Sequence, residues 1–179
     1  LAWFAGSVFL AALCYRRFLD SRGAAALAAL LYALSDIHAL PAGWVANRNA
    51  EVALFFALLT LLLHDRGRRG ARTAAWIAPV ALLFGLLSNE GALGITGYLF
   101  AYACLLDTAP VRRRILSLAP YAVVVLAWRV VYSWLGYGAW GSPAYIDPVA
   151  TPGAYLAKAV ERIPVLLASL WLAPPAELY

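Results

Sequence analysis

Several side chains able to take part in chemistry lie close together in a chain that is otherwise largely apolar. Between residues 35 and 51 they are Asp36, His38, Asn47, Arg48, Asn49 and Glu51. The chain is 64% hydrophobic and only 13% charged, so a polar cluster flanked by apolar runs is expected in or beside a membrane. Carboxylates and imidazoles transfer protons in catalysis, and the planar fork of an arginine suits phosphate. The segment is therefore a candidate site for proton transfer or anion binding.

Each of these residues also has a purely structural explanation. Arg48 and Glu51 are three positions apart, so on a helix they could neutralise each other, or Arg48 could bind a polar or anionic ligand. His38 could serve as a hydrogen-bonding core residue, or as a general base together with Asp36. Both explanations stay open at the level of sequence.

Three more ionisable residues join the candidate set from other parts of the chain. Glu90 follows Ser88 and Asn89 where two apolar runs meet, and it belongs either to a plain turn or to a cavity wall. Arg129 lies in a long apolar run, where it either extends to the interface or clamps an anion. Asp147 lies in a loop rich in turn-forming residues, of a kind that often shapes a substrate entrance.

The composition predicts an all-α, polytopic membrane protein. Mean hydropathy is +0.77, and the apolar runs predict about six to seven hydrophobic helices within one transmembrane domain, residues 1–179. Residues 136–163 are expected to form an outer loop with a short amphipathic helix. The sequence has no basic face interleaved with aromatic residues, so nucleic acid is not expected as a partner. It also has no Cys or His spacing typical of a metal site.

Clustered arginines predict the orientation. Ten of the fourteen basic residues fall in loops 16–23, 64–73 and 107–114, which alternate along the series of apolar runs. Such loops lie on the cytoplasmic side of inner or plasma membranes. At about 1.5 Å of helical rise per residue, Asp36, Glu51, Glu90 and Arg129 then reach a similar depth, in the outer half of the bilayer. A water-filled cavity open to the outside would satisfy all four.

The order of these residues resembles the multi-spanning glycosyltransferases of the C-type fold, especially the protein O-mannosyltransferase-like families. Two of their motifs are matched in part, one by His38, Pro41, Trp44, Arg48 and Glu51 and the other by Ser88-Asn89-Glu90. Arg129 with Tyr132 matches a third family feature, an arginine followed by aromatic residues. Asn47 and Asn89 depart from the pattern, replacing a glycine and a lysine.

The resemblance implies transfer of a sugar from a polyprenyl-phosphate donor to a glycan, lipid or protein acceptor on the outer face. It makes Glu90, Asp36 and His38 candidate catalytic residues, with the family's main catalytic acid expected upstream of this chain. The candidate substrate-binding residues are Arg48, Asn49, Glu51, Asn89, Arg129 and Asp147. No cofactor is required by these motifs, and the use of a divalent metal stays open. The alternatives are a transporter or flippase for an anionic lipid or polysaccharide, and a paralogue that has lost the chemistry.

Overall fold

The computed structural model describes residues 1–35, 38–138, 146, 148 and 150–172, apart from the side chains at 40, 41 and 169–172. Within these residues the chain is helical and contains no strand. The helices are α1 (Ala2–Phe18), α2 (Arg22–Leu34), α3 (Ala39–Gly43), α4 (Arg48–Arg68), α5 (Arg72–Ser88), α6 (Ile95–Leu105), α7 (Val111–Trp134) and α8 (Pro152–Leu172). Short 3₁₀ segments, Val45–Asn47 and Glu90–Gly94, precede α4 and α6. The all-α prediction is thus confirmed.

An antiparallel hairpin of α4 and α5 forms the centre of the first compact unit, Leu1–Arg129. Its turn uses Gly70, whose φ of 108° is readily adopted only by glycine. Small residues let the two helices approach closely: a methyl group at Gly67 would lie 2.9 Å from the Cα of Ala75. At the other end of the hairpin, a methyl group at Gly85 would lie 3.0 Å from the Cβ of Ala92.

The remaining helices of this unit pack around the hairpin. Helix α1 lies against α4 and α2, and α6 lies against α4. The core is formed by residues of α1, α4, α5, α6 and α7, among them Leu10, Cys14, Ala57, Leu61, Leu82, Leu99 and Tyr121. Helix α2 begins where Ser21 caps it, its hydroxyl accepting a hydrogen bond from the backbone N–H of Ala24 at 3.2 Å.

Two helical segments are long and apolar enough to cross a membrane among the described residues, Val45–Arg68 and Val111–Trp134. The predicted number of six to seven spanning helices is therefore wrong. Polar and turn-forming residues cut the apolar runs short: α1 and α5 have 17 residues each and α2 has 13. At about 1.5 Å per residue these reach roughly 20–25 Å, less than the hydrocarbon thickness of about 30 Å.

The second compact unit, Val130–Tyr179, contains the end of α7 and all of α8. The amphipathic helix expected to end by residue 163 is part of a longer helix of 21 residues, α8, with Pro164 inside it. Lys158 and Glu161 form an exposed ion pair of 2.6 Å on this helix. Asp147 lies outside the described residues, as do most of its neighbours in the predicted outer loop.

Candidate functional site

A buried pair of titratable residues, His38 and Glu51, is the main feature at the start of α4. The Nδ1 atom of His38 lies 3.3 Å from Oε1 of Glu51. The residues are only 6% and 3% exposed. In the tautomer with the proton on Nδ1, the imidazole donates to this carboxylate and Nε2 carries the lone pair.

Aromatic rings hold the imidazole in place. The ring centroid of His38 lies 4.6 Å from that of Tyr32 on α2 and 5.3 Å from that of Phe4 on α1. Glu51 is in the first turn of α4, beside the buried Ser7 hydroxyl, which donates to the backbone carbonyl of Glu51 at 3.5 Å. Side chains of α1 and α2 therefore contact the imidazole, and Glu51 faces it from α4, while His38 itself lies in the connection between α2 and α3.

Unsatisfied polar atoms surround this pair. Nε2 of His38, Oε2 of Glu51 and the hydroxyl of Tyr32 are buried and have no hydrogen-bonding partner in the part of the chain that the structure describes. Such atoms are costly to bury and are rare in folded proteins. A cavity of about 630 Å³ opens beside them, lined by His38 and Glu51 together with Tyr15, Tyr32 and Ser35. The three atoms therefore leave unused hydrogen-bonding capacity beside this cavity.

A second, mostly apolar cavity of about 740 Å³ continues from the first. The two share the lining residues Tyr15, Tyr32, Ala50 and Leu54. The second cavity follows α4 from Ala50 to Leu61, about 16 Å at helical rise, between α1 and α6. Together they offer an apolar slot with a polar end, which matches an amphipathic ligand.

The other predicted site residues are distributed around the same end of the hairpin. Arg48 and Asn49 are exposed in the first turn of α4, and the side chain of Asn49 accepts from the N–H of Ala50. Asn89 lines the apolar cavity and accepts from the N–H of Gly91 at 2.8 Å. Glu90 is exposed at the start of the Glu90–Gly94 segment.

Arg129 and Asp36 complete the predicted set. Arg129 is half-buried on α7. Asp36, proposed as the partner of His38, lies outside the described residues, and Glu51 faces the imidazole. The suggested Arg48–Glu51 pair is not formed, because Arg48 is exposed and Glu51 is buried against His38.

At the opposite end of α4 the structure contains a polar cluster to which the sequence interpretation gave no role. Asp65 is 1% exposed, and both its oxygens accept hydrogen bonds of 2.9 Å from Arg17. Tyr102 donates to Oδ1 at 3.0 Å, and Arg69 forms a further ion pair. The carboxylate is thus fully satisfied, and it joins α1, α4 and α6.

Two more contacts belong to this end. Nδ1 of His64 lies 2.9 Å from the hydroxyl of Tyr121 on α7. Arg68 forms an ion pair of 2.6 Å with Asp107, just after α6. Burial of Asp107 opposes its ionisation, but hydrogen bonds from Arg68 and from the N–H of Ala109 outweigh it and lower the pKa of this carboxyl below its usual range. The sequence signal for this polar cluster was the adjacent His64 and Asp65 at the end of an apolar helix, together with several arginines in other loops.

These contacts bring the three arginine-rich loops together. Arg17 belongs to loop 16–23, Asp65 and Arg68 to loop 64–73, and Asp107 to loop 107–114. The loops predicted to share one side of a membrane therefore meet at one end of the first unit. The ion pairs there have their partners and are structural, although Nε2 of His64 at this end is also buried without a partner among the described residues. The His38–Glu51 pair differs in lining an open cavity, so it is better suited to binding or chemistry.

Comparison with known proteins finds no matching family model, no matching curated protein and no matching solved structure. Among the described residues no group of three or more His, Cys, Asp or Glu is placed to hold a metal ion. Function for this chain is therefore argued from its own site, because a helical fold by itself is compatible with many activities.

Proposed function

We propose that the chain forms part of a membrane glycosyltransferase that transfers a sugar from a polyprenyl-phosphate donor to a hydroxyl acceptor on the outer face. The observation that carries the proposal is the buried His38–Glu51 pair at the polar end of an apolar cavity. Transfer from a lipid-linked sugar needs both parts: an apolar slot for the lipid and a proton acceptor for the incoming hydroxyl. The resemblance to C-type glycosyltransferases supports the same reaction. The proposal therefore includes a transmembrane helix bundle like the one of that family.

Exposure of the apolar helices supports a membrane location. In the most apolar 18 residues of the segment Val111–Trp134 only 11% of the positions are buried, and in those of Val45–Arg68 only 33%. The apolar core helix of a soluble protein would be mostly buried, so these surfaces are better explained by contact with lipid. Large apolar side chains are also exposed along α2 and α5, for example Leu31, Leu34 and Trp76.

In the proposed reaction, the acceptor hydroxyl gives its proton to Nε2 of His38 as its oxygen attacks the anomeric carbon. The bond from that carbon to the phosphate oxygen breaks, and polyprenyl phosphate leaves with the electron pair. Glu51 keeps the imidazole in the required tautomer and stabilises the imidazolium that forms. Attack opposite the leaving phosphate inverts the anomeric configuration.

The phosphate needs positive charge as it leaves. Arg48 is exposed at the N-terminus of α4, two residues before Ala50, which lines both cavities. The N-terminus of a helix favours an anion, and arginine binds phosphate through two donors. We assign Arg48 the donor phosphate, and Arg129 remains the second candidate.

The test uses the purified protein in proteoliposomes with labelled polyprenyl-phosphate mannose and, separately, glucose, with a membrane extract as the acceptor source. Release of polyprenyl phosphate is expected in the wild type and to fall about 10²–10⁴-fold in His38→Ala, the usual range for loss of a general base. Free imidazole should restore His38→Ala in part, because it can enter the space that the side chain leaves. Asp20→Asn, an exposed change in the loop between α1 and α2, is the control and should leave release unchanged.

Absence of sugar transfer in the wild type with either donor and this acceptor source would contradict the enzyme proposal. If the donor then crossed the vesicle membrane intact, the transport alternative would be favoured. If transfer occurred but His38→Ala remained fully active, the proposed reaction would be supported and the assignment of His38 as the general base would be wrong.

A further inference from the structure

A third cavity, of about 250 Å³, lies between α1 and α2 and is separate from the proposed active site. Arg16 and Arg22 stand at one end of it, and its remaining lining is Ala12, Ala25, Ala26 and Ala29. The groove therefore has two cationic groups at one end and an apolar floor along the rest. From Arg22 to Ala29 it follows α2 for about 10 Å at helical rise.

The two arginines of this groove differ from their neighbours in having no acidic partner among the described residues. Arg17 and Arg69 are held by Asp65, and Arg68 is held by Asp107. Arg16 and Arg22 are exposed and form no ion pair with any described residue, Asp20 in the same loop included. Their positive charges remain available for an anionic group.

Helix α2 indicates what surrounds the groove. Only Ala25 is buried in this helix, four residues are half-buried, and the exposed ones include Leu27, Leu30, Leu31 and Leu34. An Ala- and Leu-rich helix with so little protein cover needs an apolar environment along its length, which a lipid chain supplies.

We infer that the α1–α2 groove binds an anionic phospholipid, with its phosphate between Arg16 and Arg22 and one acyl chain over Ala26 and Ala29. Basic pockets between helices on the cytoplasmic side bind anionic lipid head groups, and the loop between Arg16 and Arg22 is one of the three predicted to face the cytoplasm. The two arginines favour an anionic head group, and the small alanine side chains leave room for an acyl chain. The inference is independent of the proposed sugar transfer.

The test is retention of lipid by the detergent-solubilised protein in native mass spectrometry, with equal amounts of phosphatidylglycerol and phosphatidylcholine. Wild type is expected to retain phosphatidylglycerol preferentially. The double variant Arg16→Gln/Arg22→Gln should lower its affinity about thirtyfold, since each arginine near an anionic head group contributes roughly fivefold.

Two further variants separate a built site from general positive charge. Arg112→Gln/Arg113→Gln removes two exposed arginines from another basic loop and should leave retention nearly unchanged. Ala29→Leu fills the groove with all charges kept and should also weaken phosphatidylglycerol binding. Helix content measured by circular dichroism shows whether each variant is folded.

Three results would overturn the inference. These are equal retention of the two lipids by wild type, an equal loss in both double-arginine variants, or undiminished binding by folded Ala29→Leu. The second would indicate attraction to the overall positive charge, and the third would show that no chain occupies the groove.

Discussion

Two buried carboxylates on α4 show how similar residues take different roles. Asp65 accepts from Arg17 and Tyr102 and is paired with Arg69, so the cost of burying its charge is offset by several partners. Glu51, 14 residues earlier, has His38 on one oxygen and no partner on the other among the described residues. The first arrangement stabilises a fold, while the second leaves hydrogen-bonding capacity for a ligand.

The Arg68–Asp107 pair predicts an acid-dependent loss of stability. The pKa of Asp107 is lower in the folded protein than its value of about 3.9 in an unfolded chain. Folding therefore releases a proton from this group at acid pH, and its stabilising contribution is complete above about pH 4 and is lost as the pH falls through the folded pKa. Thermal unfolding followed between pH 6 and pH 2 should show a weaker pH dependence in Asp107→Asn than in wild type.

Glu161 provides the matched control for this experiment. Its pKa is also lowered, by the hydrogen bond from Lys158, but the carboxylate is fully exposed, so solvent screens the pair. Glu161→Gln should leave the acid limb of the stability curve almost unchanged. If Asp107→Asn behaved like Glu161→Gln, the Arg68–Asp107 pair would contribute nothing measurable.

At the scale of elements, the close approach of α4 and α5 depends on Gly67. At Gly67 any side chain would meet the backbone of Ala75 across the helix interface. Gly91, Gly94 and Gly97 occur at every third position, a spacing that favours close helix packing over ligand contact. However, a Cβ at Gly94 or Gly97 would have no neighbour within 4 Å, and one at Gly91 would meet only the side chain of Asn89.

We therefore expect opposite effects from two identical substitutions. Gly67→Ala should destabilise the protein by about 1–3 kcal/mol, because added volume in a tightly packed contact forces the helices apart. Gly97→Ala, in α6 with open space around it, should be neutral or stabilise by up to about 1 kcal/mol through better helix propensity. Reversible unfolding in mixed detergent micelles measures both. A Gly67→Ala protein as stable as Gly97→Ala would show that the close approach is not needed.

Much of the fold follows from the sequence, but less of the site does. Apolar runs broken by Arg- and Gly-rich loops located the helices well, because both signals are local. The number of membrane-spanning helices was overestimated because several apolar runs form helices too short to cross a bilayer, such as α2 with 13 residues and α6 with 11. The partner of Glu51 was sought three residues away at Arg48, whereas tertiary packing brings in His38, 13 residues earlier.

At the scale of the whole molecule, the convergence of the three basic loops predicts the topology. In a background with Cys14→Ala and Cys104→Ala, single cysteines at Asp20, Arg72 and Arg113 should all react with a membrane-impermeant maleimide from the same side. A cysteine at Val45, at the other end of the hairpin, should react from the opposite side. Inside-out and right-side-out vesicles distinguish the two, and labelling of any basic loop from the side of Val45 would contradict the arrangement.

The ion-pair end of the first unit also has a consequence for the order of synthesis and assembly. Helices α4 and α5 are adjacent in the chain, so they can associate early through local contacts. Asp65 must meet Arg17 from 48 residues upstream and Tyr102 from 37 residues downstream. Its cluster can therefore be completed only after the ribosome has delivered α6. We expect a nascent chain that stops before Tyr102 to hold a loosely docked α1, and the arrival of α6 to fix the bundle.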